Sequence, residues 1–142
     1  MDGHDLLPET LAAHLLETAI LLGDRDAAAA LSAPLSTFSS RLRAASWAAL
    51  SSFGRLLGGA AALCGEGERA RDCYRRALRV CQKVHFRPEI ALIRLELAEL
   101  LLTDGPGSEA AAHLDFAIGE FRDMKMQPAL ERAFKHKGLL HA

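Results

Sequence analysis

The sequence predicts an all-α fold in which antiparallel helix pairs stack as a solenoid. The 142 residues are 50% hydrophobic but only 6% aromatic, and their abundant alanine and leucine favour helix over sheet. Between glycine and proline turns, apolar residues recur at helical spacing. Small residues also recur in the same order in two consecutive segments, which indicates a repeated structural unit.

The predicted elements form one domain over 1–142. In chain order they are a less regular pair over 9–40, two regular pairs over 46–85 and 89–124, and a capping helix over 129–140. Arg41–Cys64 is expected to be a long helical segment, with its first turns either continuous with the rest or separate, because nothing in it shows the alternation or β-branched richness of a strand. The sequence therefore predicts about three helix pairs and a closing helix.

Two segments at a constant offset carry the repeat. In each, a small residue is followed by a turn glycine, a second small residue, a large residue and a third small residue. These positions are Gly58, Gly65, Ala70, Tyr74 and Ala77, and then Ala98, Gly105, Ala110, Leu114 and Ala117. Two helices approach closely only where side chains are small, and a large residue fills the adjacent gap. Gly58 is therefore expected to mark a close helix contact, although glycine disfavours a helix by about 1 kcal/mol relative to alanine.

This order of small, turn and large residues resembles the tetratricopeptide repeat. The chain departs from that family at the start of the first helix, where Gly54 and Arg94 replace the usual aromatic residue. Leu114 also replaces the second aromatic, and the period, from Gly58 to Ala98, is longer than the usual one of about 34 residues. The resemblance implies a right-handed solenoid that binds another protein.

The last third of the chain is similar to the helical-repeat ends of large bacterial signalling ATPases. The similar segments are RPEIALIRLELAELLLTDG and AAAHLDFAIGEFRDMKMQPALERAFKHKGLL. In those proteins a P-loop ATPase is joined to such repeats and often to a nucleotide-cyclase or LuxR-type DNA-binding domain. Only the scaffold is carried over, because no G-x-x-x-x-G-K-[ST] motif occurs here. The resemblance implies a C-terminal piece or a short relative of a bacterial regulator, acting in signal transduction.

Composition and spacing argue against several other classes. The net charge of −1 gives no overall attraction to nucleic acid or to an anionic membrane. A secretory signal and an apolar run long enough to span a membrane are both missing, so a cytoplasmic location is expected. The cysteines are interpreted as small core hydrophobes, without zinc-site spacing to the six histidines; they are Cys64, Cys73 and Cys81. No catalytic residue, metal or cofactor is predicted.

The first helices of successive pairs line the inner surface of such a solenoid, so this surface is the predicted site for a partner protein or a domain of a longer parent chain. Its residues are Arg55, Gly59 and Ala62, and one repeat later Leu92, Leu95, Glu99 and Leu102. A helix of the same chain covering the second set is the alternative interpretation. The expected function is non-catalytic protein binding or regulatory scaffolding.

Three further hypotheses concern other surfaces. A small effector held between helices would make the chain a sensor module. The basic helix 69–87, with Arg75, Arg79 and Lys83 on one stripe, is an alternative site for nucleic acid, although no aromatic residues interleave the stripe for base stacking. The first helix has a broad apolar face and few charges, which predicts an exposed end that either self-associates or needs a further helix pair upstream.

Overall fold

The computed structural model describes residues 6–38, 42–46 and 49–140, and this part of the chain contains seven α-helices. The helices are α1 (Leu6–Leu22), α2 (Arg25–Leu35), α3 (Phe53–Leu63), α4 (Gly67–Lys83), α5 (Arg87–Thr103), α6 (Ser108–Asp123) and α7 (Gln127–Leu140). A 3-10 turn, Ser36–Phe38, follows α2. The predicted helical class is therefore confirmed for most of the described chain.

A short β-hairpin replaces the first half of the predicted helix Arg41–Cys64. Its strands are β1 (Leu42–Ser46) and β2 (Ala49–Ser52), paired antiparallel. The helix begins only at Phe53, because Ser52 has extended backbone torsions and its Oγ accepts a hydrogen bond from the Arg55 N–H at 3.4 Å. This is the usual way in which serine caps a helix N-terminus. The prediction of helix over the two strands is therefore wrong.

The chain divides into two compact units, 1–80 and 81–142, with the boundary inside α4. In the first unit, α3 contacts both α1 and α2. Their shared core contains small residues that permit close packing and larger ones that fill the gaps between helices. Its members include Leu16, Ala28, Leu35, Phe53 and Leu57.

The second unit repeats this arrangement with α5, α6 and α7. Here α7 contacts both α5 and α6, and the core contains Leu95, Ala98, Leu114, Phe121 and Ala133. Ala133 is supplied by α7, and the others come from α5 and α6. In each unit, a helix therefore packs against both members of the preceding pair.

Helix ends recur at a constant interval from α3 onward. The backbone torsion φ is positive at Gly65, His85, Gly105 and Lys125, which are equally spaced along the chain. At Gly65, His85 and Lys125, the N–H of the following residue donates a hydrogen bond to the carbonyl five residues before that donor, at 2.8–2.9 Å. This is the Schellman arrangement. Gly105 precedes Pro106, which has no N–H to donate. Each step of one helix and its turn thus takes half of the repeat period seen in the sequence.

Candidate functional site

Leu95, which the sequence places on the partner-binding surface, is a core residue. Its side chain is 0% exposed and packs in the cluster that joins α5, α6 and α7. Leu92 and Leu102 are partly buried against the same cluster. Helix α5 is apolar on nearly every side, and both α6 and α7 contact it. This corrects the expectation that Leu95 lines a groove.

Glu99, the acidic residue of the same stripe, is bound to α7. Its Oε1 accepts a hydrogen bond from Arg132 Nε at 2.7 Å, and its Oε2 accepts one from Arg132 Nη2. The Nε2 of His136 lies 2.8 Å from Oε1. The Glu99 carboxylate therefore binds side chains of α7, a helix of its own unit. The structure favours the alternative in which a helix of the same chain covers the stripe.

The other predicted partner-binding residues lie on α3, in the first unit. A Cβ atom added at Gly59 would stand 3.4 Å from Cδ1 of Ile20, so α1 covers this position. Arg55 and Ala62 are half-buried. The predicted residues are thus divided between α3 and α5, and both Gly59 and Leu95 face helices of their own unit.

The repeat positions lie at helix contacts and turns. The nearest approach is between Gly58 and Tyr74, where a Cβ atom on the glycine would meet the ring at 2.6 Å. Gly65 and Gly105 have positive φ and end their helices. The remaining positions are all at most 2% exposed; they are Ala70, Ala77, Ala98, Ala110, Leu114 and Ala117.

An apolar stripe on the outer side of α1 is exposed. Leu11, Leu15 and Leu22 are 60%, 49% and 78% exposed, and their spacing places them with Thr18 on one side of the helix. We call these four residues the α1 stripe. The opposite side of the helix, which includes Leu16, packs into the core of the first unit. Helix α1 therefore presents leucine both to the core and to solvent.

A cleft of about 440 Å³ lies in the second unit, between the α5–α6 loop, α6 and the end of α7. Lys137 Nζ and Asp115 Oδ1 form an ion pair across its wall, 2.7 Å apart. Pro106 and Ala111 supply apolar surface. The lining residues are Pro106, Gly107, Ser108, Ala111, Leu114, Asp115 and Lys137. Its size and mixed lining suit a small molecule.

The cysteines occupy different environments. Cys81 is fully buried, whereas Cys64 and Cys73 are half-buried. Burial raises the pKa of the Cys73 thiol, so this group stays protonated at neutral pH and is a poor nucleophile. Among the described residues, no three histidine, cysteine or acidic side chains are placed to hold a metal ion.

We found no protein family, curated protein or solved structure that matches this chain. None of the described helices is both long enough and apolar enough to cross a membrane. The α1 stripe could be anticipated from the apolar composition of the first helix, whereas the cleft has no signal in the sequence.

Proposed function

We propose that this chain is a non-catalytic protein-interaction module that docks a partner helix on the α1 stripe. The observation that carries the proposal is the exposure of Leu11, Leu15 and Leu22 on one side of a helix whose other side is core. Contiguous apolar patches on protein surfaces commonly mark interaction sites. An amphipathic partner helix would contact such a stripe through residues at the same helical spacing.

The proposed scaffold is a helix-pair solenoid. It is supported by the packing of α3 on α1 and α2, by the same relation among α5, α6 and α7, and by the equal spacing of the turns. Repeats of this kind stack on their neighbours and present extended surfaces. With the resemblance to the repeat ends of bacterial signalling ATPases, these features support a regulatory scaffold in signal transduction.

A second copy of the chain is the first partner to consider. The stripe residues follow the spacing 4, 3, 4, so two α1 helices can pair antiparallel with Leu11 of each opposite Leu22 of the other. Burying one leucine contributes roughly 1.5–3 kcal/mol, and association opposes binding by about 4–15 kcal/mol. A stripe of three leucines on each copy therefore supports weak self-association, with a dissociation constant of roughly 1 mM at the middle of these ranges.

Sedimentation across protein concentrations tests the proposal. The wild-type chain is expected to self-associate, and Leu15→Glu is expected to keep it monomeric without changing its helicity. Leu139→Glu is the matched control, because Leu139 is an equally large apolar residue that is 70% exposed on α7, in the second unit. A monomeric wild type at millimolar concentration, or equal loss of association in both variants, would contradict docking through the α1 stripe.

The cleft of the second unit supports a second candidate function, the binding of a small effector. Its carrying observation is a space of about 440 Å³ lined by apolar groups and by the ion pair of Lys137 with Asp115. A thermal-shift screen against polar metabolites tests it. A hit should raise the melting temperature of the wild type and lose its effect in Lys137→Ala but not in Lys135→Ala.

A further inference from the structure

We propose that the exposed face of α4 formed by Arg75, Arg76 and Arg79, here called the basic face, binds an acidic segment of another protein. The face lies in the first unit, on a helix other than α1. It would therefore act whether or not the α1 stripe self-associates. The proposal rests on the exposure of these arginines, on the absence of ion-pair partners for their charges among the described residues, and on their spacing.

The arginines in the first turns of α4 are paired with acidic residues at the start of the helix. Arg69 Nη1 lies 2.9 Å from Glu66 Oε2, and Arg71 Nη1 lies 3.6 Å from Glu68 Oε1. The three arginines of the basic face are all exposed, and none of them forms an ion pair with any residue that the structure describes. The fold therefore leaves three adjacent positive charges available to solvent.

Asp72 is the one acidic residue of α4 within a turn of the basic face, so the charges of the helix itself offset this concentration only in part. The buried side of α4 is supplied by Ala70, Tyr74 and Ala77, each at most 2% exposed. Like charges one helical turn apart, such as those of Arg75 and Arg79, destabilise a helix slightly. Uncharged polar residues would hydrate the same surface without this repulsion. A binding role gives the arrangement a reason that stability does not.

The spacing suits carboxylates on an extended chain. The rise from Arg75 to Arg79 is about 6 Å, and residues i and i+2 of an extended segment are about 6.6 Å apart on the same side. An acidic residue at every second position would thus meet both guanidinium groups. Arginine binds carboxylates in a bidentate manner with strong, charge-assisted hydrogen bonds.

Two other anionic partners fit less well. Single-stranded nucleic acid needs aromatic side chains for base stacking, but the only aromatic residue of α4, Tyr74, is 2% exposed. Binding at a membrane surface uses apolar residues beside the cations, whereas the exposed positions of α4 within the first unit are all polar or charged: Glu68, Arg69, Asp72, Arg75, Arg76 and Arg79. The observations therefore favour an acidic protein segment.

Fluorescence anisotropy with a labelled peptide of alternating glutamate and serine tests the proposal at about 150 mM salt, where exposed charges are screened beyond roughly 8 Å. The triple variant R75E/R76E/R79E is expected to weaken binding at least tenfold. R122E/K125E/K135E is the matched control, since it makes the same change in net charge at exposed positions of the second unit and should bind like the wild type.

Circular dichroism must show that the variants fold, and R75Q/R76Q/R79Q provides a milder set if charge reversal disrupts α4. Equal weakening in the basic-face and control variants would overturn the proposal, because net charge alone would then explain binding. No binding of the peptide by the wild type would overturn it as well. Tighter binding of a short DNA duplex or of phosphatidylserine vesicles than of the peptide would assign the face to those partners instead.

Discussion

Gly58 of α3 lies directly against the aromatic ring of Tyr74 of α4. A Cβ atom on Gly58 would stand 2.6 Å from Cε1 and 2.7 Å from Cδ1 of that ring, well inside van der Waals contact. Tyr74 is 2% exposed, so the ring has little room to move. The small residue and the large residue of the repeat thus meet at one point between the two helices.

We expect Gly58→Ala to destabilise the chain, even though alanine is the better helix former. Gly58→Leu should destabilise it further, by about 3 kcal/mol or more, because overpacking forces the two helices apart. Gly119→Ala is the control, since a Cβ there meets nothing within 4 Å and should stabilise α6. Urea denaturation midpoints measure these changes. A higher midpoint for Gly58→Ala would contradict the close contact.

The turn residues give a prediction of the opposite sign. Lys125 has a φ of 56°, a left-handed conformation that is unfavourable for residues with a side chain by roughly 1–2 kcal/mol. Lys125→Gly should therefore raise the unfolding midpoint. The free energy of unfolding should increase by about 0.5–1 kcal/mol, after the greater freedom of glycine in the unfolded chain is included. Gly65→Ala, at a φ of 79°, should lower it. Two changes of the same sign would exclude this account of the turns.

The attachment of α7 should depend on the contact of Arg132 with Glu99. Arg132 is about half exposed, so replacing it by alanine is expected to weaken the fold by only about 1 kcal/mol. The effect should be local: amide hydrogen exchange should become faster in 127–140 and change less in α6. Lys135→Ala, at an exposed position of the same helix, serves as the control and should leave exchange in α7 as it is.

Stability at acid pH should depend on Glu120. The hydrogen bonds from Arg87, at 2.8 and 3.0 Å, hold the pKa of this carboxyl below its usual range. The ionised group therefore stabilises the fold at neutral pH, and this contribution is lost as the pH falls through the folded-state pKa. Glu120→Gln should reduce stability at pH 7 and flatten its decline below about pH 4.3. An unchanged acid profile would show that the pair contributes nothing.

Core and surface leucines should respond differently to charge. Leu95→Asp places a carboxylate in a site with no exposure and is expected to unfold the second unit, at a loss of several kcal/mol. Leu15→Asp, on the α1 stripe, should leave the melting temperature of a dilute sample nearly unchanged. Thermal unfolding followed by circular dichroism compares the two. A folded Leu95→Asp protein would restore the groove interpretation of α5.

Much of the helical organisation could be predicted because glycine and proline mark its turns. Gly65 and Gly105 stand at helix ends where the sequence places them. His85 and Lys125 end helices in the same way, but nothing in their residue type indicates a left-handed backbone. Only the two glycine turns can therefore be recognised in the sequence. The interval from one glycine to the next is twice the interval between successive turns.

The candidate site was harder to predict, because a helix that is apolar on all sides does not show which side remains open. Leu95 and Leu15 are the same residue type at similar positions of apolar helices, yet one is core and the other is exposed. The difference depends on which helices pack against α5 and α1, which is a tertiary property. The β-hairpin was missed for a related reason, since its alanines and serines carry no strand pattern.

The constant step of one helix and its turn has a consequence for how such a chain can change in length. In the proposed solenoid each step reverses the direction of the chain, so inserting one helix with its turn would invert every helix after it and mismatch their packing faces. Inserting two such steps restores the direction and supplies a new pair of matching faces. Gene duplication of whole helix pairs can therefore lengthen this protein while preserving the helices on either side, and deletion of a whole pair can shorten it.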